Sequence, residues 1–96
     1  MVYTIVCHLA AKPEHVDDLK AELANASKIY SKDKETIAFH VMQHAEDPTL
    51  FTLVERYEQE SSQKYHLENP YWAEFKDKAG PWIASFELIK CHEFGQ

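Results

Sequence analysis

Apolar residues recur along this chain in two rhythms. From Val2 to Leu9 they alternate: Tyr3, Ile5, Cys7 and Leu9 share one face, and Val2, Thr4, Val6 and His8 the other, the period of a strand. After Pro13 the step changes to three and four, with Val16, Leu19, Leu23, Ala26 and Tyr30 forming one stripe of an amphipathic helix. Proline suits the helix start, where its missing N–H has no helical partner. The helix should end near Ser31, at the polar run S-K-D-K-E-T. Alternation returns from Thr36 to His44, with Ile37, Phe39 and Val41 opposite Ala38, His40, Met42 and His44. The turn A-E-D-P-T joins it to a third strand, Leu50 to Tyr57, in which Phe51, Leu53, Glu55 and Tyr57 share a face. Gln59 to Leu67 predicts a short helix. Asn69-Pro70 restarts it, asparagine as cap and proline in the first turn, with Trp72, Phe75 and Ala79 on one side. Gly80-Pro81 stops it, and a last strand runs from about Ser85 to Glu93, Phe86 and Leu88 opposite Ile89 and Cys91.

The order β-α-β-β-α-β is the ferredoxin-like arrangement: an α+β fold whose four strands make one antiparallel sheet with helices on one face. Residues 1–96 are expected to form a single domain. The strands are apolar on both faces, whereas a sheet wet on one side should alternate cleanly with polar residues. The second face therefore calls for a cover, and a second copy of the chain, a homodimer, is the expected one.

Composition narrows the function. A net charge of −6 argues against nucleic acid or an anionic membrane as partner. No apolar run reaches the roughly 18–20 residues of a membrane-spanning helix. The start lacks a basic leader and alternates like a strand, so it is not read as a signal peptide. Cys7 and Cys91 are too few for a disulfide scaffold and read as free thiols in a reducing, cytoplasmic setting. Two glycines leave no room for a glycine-rich phosphate loop. His40 and His44 lie roughly 13 Å apart on a strand, too far to share a metal, and no other cluster has ligand spacing, so no metal is expected. His8, His15 and His92 read as surface or interface residues. The charges of Asp17–Lys28 read as a solvated helix face, and no serine-nucleophile motif is present.

The chemistry concentrates between Phe51 and Phe75. Glu55 sits on an apolar strand face, where a carboxylate is costly without a partner. His66 follows on the next helix. A carboxylate that orients an imidazole fixes its tautomer and raises its basicity, so His66, oriented by Glu55, is the expected base for proton abstraction from a phenol or enol. A purely structural hydrogen bond from Glu55 is the plain alternative. Tyr65, Tyr71, Trp72 and Phe75 can wall a pocket for a flat substrate, although aromatics at helical spacing also serve as plain core. Tyr57 can donate to a substrate oxygen, and His40 can face a cavity.

The stretch D-P-T-L-F-T-L-V-E-R-Y followed by Y-H-L-E-N-P-Y-W resembles the antibiotic biosynthesis monooxygenase family of dimeric α+β barrels. Asp47, Pro48, Phe51, Leu53, Glu55, Tyr57, His66, Pro70 and Trp72 stand at the positions that carry the likeness. The resemblance implies a small homodimeric oxygenase acting on a phenolic, quinol or polyketide-like molecule with molecular oxygen and no cofactor. It leaves room for an isomerase using Glu55 and His66 as acid and base, and for a non-catalytic ligand-binding or stress-response dimer. Two departures stand out. Lys34-Glu35-Thr36 replaces a glycine common before the second strand, which implies an altered turn. The haem-degrading branch carries an asparagine on its first strand and an iron-ligating histidine. Here the first strand offers Cys7 and His8, and the only histidine after Trp72 is His92, which disfavours haem.

Overall fold

The computed structural model describes residues 1–95. Four strands, β1 (Tyr3–Ala11), β2 (Thr36–Gln43), β3 (Leu50–Tyr57) and β4 (Ile83–His92), form one antiparallel sheet in the order β2-β3-β1-β4. Helix α1 (Val16–Tyr30) joins β1 to β2. Helices α2 (Gln63–Glu68) and α3 (Tyr71–Ala79) join β3 to β4. Short 3₁₀ turns at Pro13–His15, Glu60–Ser62 and Gly80–Trp82 lead into α1, α2 and β4. This is the expected ferredoxin-like α+β fold. Among the described residues no helix is long and apolar enough to cross a membrane.

The α1 stripe meets the odd-numbered face of the sheet. Leu19, Leu23, Ala26 and Tyr30 bury against Cys7, Leu9, Phe39, Phe51 and Leu53. Fully burying a leucine stabilises by about 1.5–3 kcal/mol, so Leu19 and Leu23 anchor the helix. The Ser27 hydroxyl adds a tether, donating to the Phe39 carbonyl at 2.6 Å. Asn69 caps α3 as the sequence predicts: the Tyr71 N–H donates to its Oδ1 at 3.0 Å.

Three local expectations change. Ile37 was expected beside Phe39 and Val41, but the β2–β3 register skips it, pairing Thr36 with Tyr57 and Ala38 with Arg56. A bulge residue is left unpaired, and Ile37 is 45% exposed. Strand β1 runs on to Ala11 because Ala10 pairs with Leu50 on one side and Ser85 on the other. Strand β4 starts at Ile83, which pairs with Ala11.

The turn before β2 is indeed unusual. Glu35 has φ 59, a left-handed conformation that glycine adopts without penalty. Its side chain offsets that cost, since Oε1 accepts from the buried Ser62 hydroxyl at 2.8 Å and so ties the turn to the start of α2.

The even-numbered face of the inner strands carries half-buried Val6, Leu50 and Val54. Met42 and Ile89 lie exposed on the same face. Edge strand β4 also exposes Phe86 and Leu88 on the helix side.

Candidate active site

A cleft of about 810 Å³ opens between the sheet, α2 and α3. Its walls are apolar, with Cys7, Phe39 and Leu53 from the sheet, Trp72 and Phe75 from α3, and Phe86 from β4. Glu55 and His66 supply polar chemistry, and Lys76 stands on the cleft from α3.

Glu55 reaches this cleft because of strand register. It sits mid-strand on β3, flanked by Ile5 and Phe39, and its odd position turns the side chain toward the helices. It is only 6% exposed. Tyr57, two residues on and on the same face, donates its hydroxyl to Glu55 Oε1 at 2.7 Å. Burial penalises the charged carboxylate and drives its pKa up to about 7, while the Tyr57 bond pulls the other way.

His66 is equally buried, on the single turn and a half of α2. Tyr30 meets its ring edge-on at 4.0 Å, and Trp72 and Phe39 lie 5.6 and 5.7 Å away. This aromatic enclosure excludes water, and burial lowers its pKa to about 4. His66 Nε2 lies 4.0 Å from Glu55 Oε1. That separation is longer than a hydrogen bond, and at neutral pH it joins an uncharged imidazole to a carboxyl group midway through its titration. The two groups are therefore in contact without forming an ion pair.

The other sequence candidates scatter. Trp72 and Phe75 line the cleft. Tyr57 stands behind Glu55, fully buried, and reaches the cleft through that carboxyl group. Tyr65 lies off the cleft, its ring flanked by the Lys64 and Lys34 ammonium groups at 5.1 and 5.8 Å. Tyr71 turns toward α1, where its hydroxyl donates to Glu22. His40 is exposed on the opposite face of the sheet, paired with Val54.

Glu22 corrects the reading of α1 as carrying only solvated charges. It is 7% exposed and is held by Tyr71 and by Lys78 Nζ at 3.0 Å. These bonds hold its carboxyl below the usual range, the Tyr71 hydroxyl foremost. The contact fastens α3, and with it the Trp72–Phe75 wall, to α1. A hydrogen bond to a charged group is worth about 1.5–3 kcal/mol. Tyr71→Phe is therefore expected to destabilise by about 2 kcal/mol, read from the urea midpoint, and an unchanged midpoint would show the bond to be idle. Sequence reasoning also passed over Tyr30 and Phe39 as cleft residues. Their spacing marks them as inward-facing, and periodicity does not separate a cleft wall from core.

The profile of the antibiotic biosynthesis monooxygenase family matches residues 2–78. No curated protein matches the chain. Among solved structures, a Nitrosomonas europaea protein provisionally called an antibiotic biosynthesis monooxygenase superposes with a TM-score of 0.90 at 19% identity, covering 96% of this chain and 89% of that one. One from Chloroflexus aurantiacus J-10-fl, named in the same way, gives 0.86 at 23% identity over 100% of this chain and 96% of that one. A conserved protein from Methanosarcina mazei Go1 gives 0.89 at 19% identity, covering 98% and 94%. Identities this low speak for a shared fold alone. It is the profile match, spanning most of the chain and including Glu55 and His66, that places the protein: it belongs to the antibiotic biosynthesis monooxygenase family.

Proposed function

We propose that this protein is a small monooxygenase that holds a phenolic, quinol or polyketide-like molecule in the cleft and oxidises it with molecular oxygen, without a bound cofactor. The observation that carries the reading is Glu55, a carboxyl group buried on an apolar cleft and titrating at about 7. A general base is most effective with a pKa near the working pH. The family assignment supplies the reaction class.

Glu55 takes the substrate proton, since His66 at about 4 is too weak a base to do so at neutral pH. The enolate or phenolate so formed is electron-rich at carbon and gives electrons to oxygen. A carbon–oxygen bond forms; one oxygen atom stays on carbon, and the other leaves as water with two hydrogens that the substrate gives up, both from a CH₂ carbon or one from carbon and one from a hydroxyl, as the substrate is oxidised by four electrons to the carbonyl or quinone. Trp72 and Phe75 stack on the flat substrate. Neutral His66 hydrogen-bonds to the substrate without adding charge. The direct test is oxygen uptake by metal-free protein with a panel of quinols and anthrone-like substrates. A panel that consumes no oxygen removes the proposal's main support.

The same base would serve an isomerase, because carbonyl enolisation needs only the proton step. Deuterium entering a carbonyl substrate from solvent, with no oxygen consumed, would favour that reading.

The working form is proposed to be a homodimer in the cytoplasm. Exposed Met42 and Ile89 beside half-buried Val6 and Val54 make an apolar sheet face that a second copy would cover. Cys7 and Cys91 are free thiols, as a reducing compartment maintains them. Sedimentation at micromolar concentration should give twice the chain mass, and Val54→Asp should give the chain mass. A wild-type monomer under those conditions defeats the dimer proposal.

A further inference from the structure

Four buried side-chain atoms among the described residues have no hydrogen-bond partner: the Tyr30 hydroxyl, Asp33 Oδ2, Thr36 Oγ1 and His66 Nδ1. The backbone gathers them into one place. Asp33 lies in the turn that follows α1, and its N–H donates to the Tyr30 carbonyl at 3.0 Å. The Thr36 N–H in turn donates to the Asp33 carbonyl at 3.2 Å. From the other side, Asn69 bridges to α2. Its Nδ2 donates to Asp33 Oδ1 at 2.8 Å and its N–H to the His66 carbonyl at 3.3 Å. The Tyr30 ring meets the His66 ring at 4.0 Å. The charge of Asp33 also acts on the hydroxyls of both Tyr30 and Tyr57.

An unpaired buried polar atom costs about 1–3 kcal/mol, and native interiors hold few of them. One could be a local defect; four on residues that α1, the turn after it, β2 and α2 bring next to one another mark a candidate site. Its donor set is specific. Asp33 Oδ2 only accepts, the two hydroxyls do both, and the imidazole nitrogen does one or the other according to tautomer. A water molecule, which donates twice and accepts twice, matches that set and typically makes about three such bonds in an interior.

We propose that Tyr30, Asp33, Thr36 and His66 enclose an internal water site that relays protons between the imidazole and solvent, with Asp33 as the outer relay residue. Asp33 suits that place because the residue is only half-buried while its Oδ2 is sealed from solvent within the site. The water site stands on its own geometry, whereas its use in turnover rests on Glu55 being the proton acceptor. A proton taken up by Glu55 passes to His66 Nε2, 4.0 Å away, after a small side-chain adjustment. The imidazole releases its Nδ1 proton through the water to Asp33 as it gains the one at Nε2. Its charge is the same before and after, and its tautomer has switched. The reverse passage, from Asp33 to Nδ1 and from Nε2 to Glu55, restores the first tautomer and delivers a proton to the product side. Buried His66 thus never has to rest as a cation.

The test needs no substrate. Nitrogen-15 spectra of the His66 ring near pH 7 should show the proton mainly on Nδ1, with magnetisation transfer to it from a bound water. Asp33→Asn should change the tautomer ratio at least about twofold, because its amide NH₂ can donate where the carboxylate only accepted. Thr36→Val, a shape-conserving change, should shift the ratio less, and it carries the test alone if Asp33→Asn fails to fold. Exposed His8 serves as the control and should not respond. With an oxidisable substrate in hand, Asp33→Asn should lower kcat about tenfold with KM unchanged, and a small carboxylic acid in the buffer should restore the rate. The proposal is overturned by a wild-type proton on Nε2, or by ring spectra identical in all three proteins. Normal ring behaviour with no oxygen uptake would instead sink the oxygenase reading and leave the water site standing.

Discussion

Glu55→Gln will lower kcat/KM by about 10²–10⁴, the usual loss when a general base is removed, while the protein stays folded. The change is nearly isosteric, and the glutamine carbonyl can still accept from Tyr57, which now bonds to Oε1 at 2.7 Å. A loss of activity therefore reports the missing proton acceptor and not a collapsed cleft. The pH dependence provides an independent check. Catalysis needs the carboxylate form, so kcat/KM of the wild type should climb about tenfold per pH unit below 7 and level off above it, at the pKa of about 7 that burial imposes. A rising limb centred near 4 would instead point to His66 as the base. Near-wild-type turnover by Glu55→Gln would end the role proposed for this carboxyl group.

Most of the fold was legible in the sequence because two periods differ. Steps of three and four set α1, and strict alternation set β1 and β3, so that burial of Leu19 or Phe51 followed from position alone. Ile37 broke the pattern because a bulge depends on the partner strand, and a single strand's alternation carries no trace of its neighbour's register. The site was legible to a lesser degree. Glu55 announced itself as a carboxylate on an apolar face, and its burial follows from that face. The roles within the pair did not, because they depend on how completely each group is desolvated. Spacing predicts that His66 is near; only the ring of Tyr30, Phe39 and Trp72 around it explains why it is uncharged. Glu22 shows the opposite error. It lies in a run of charges that looks solvated, and its burial arises from Tyr71 on a different helix, 49 residues away.

The same substitution should stabilise the protein above neutral pH. Glu55 has an ordinary value of 4.5 and a folded value of about 7. Between those limits the folded chain holds a proton that the unfolded chain has lost. Stability from this group is therefore full below pH 4.5 and is lost as pH rises through 7. At about 1.4 kcal/mol per unit the loss comes to about 3 kcal/mol. His66 works in the opposite sense. Its folded value of about 4 lies below the ordinary 6.5, so its contribution is full above pH 6.5 and is lost as pH falls through 4. The two slopes oppose each other between pH 4.5 and 6.5, and the wild type should be nearly flat there as far as this pair is concerned. Removing the carboxyl group leaves the histidine slope alone. Glu55→Gln should thus exceed the wild type by about 3 kcal/mol at pH 8, with the gap closing to about 1 kcal/mol or less near pH 5. Urea unfolding of both proteins at the two pH values measures it directly. An equal difference at pH 5 and pH 8 would mean that Glu55 titrates normally in the fold, and that the protein does not carry the cost of a desolvated base. The expected inequality would mean that it does, giving up stability at neutral pH for a carboxylate able to take a proton.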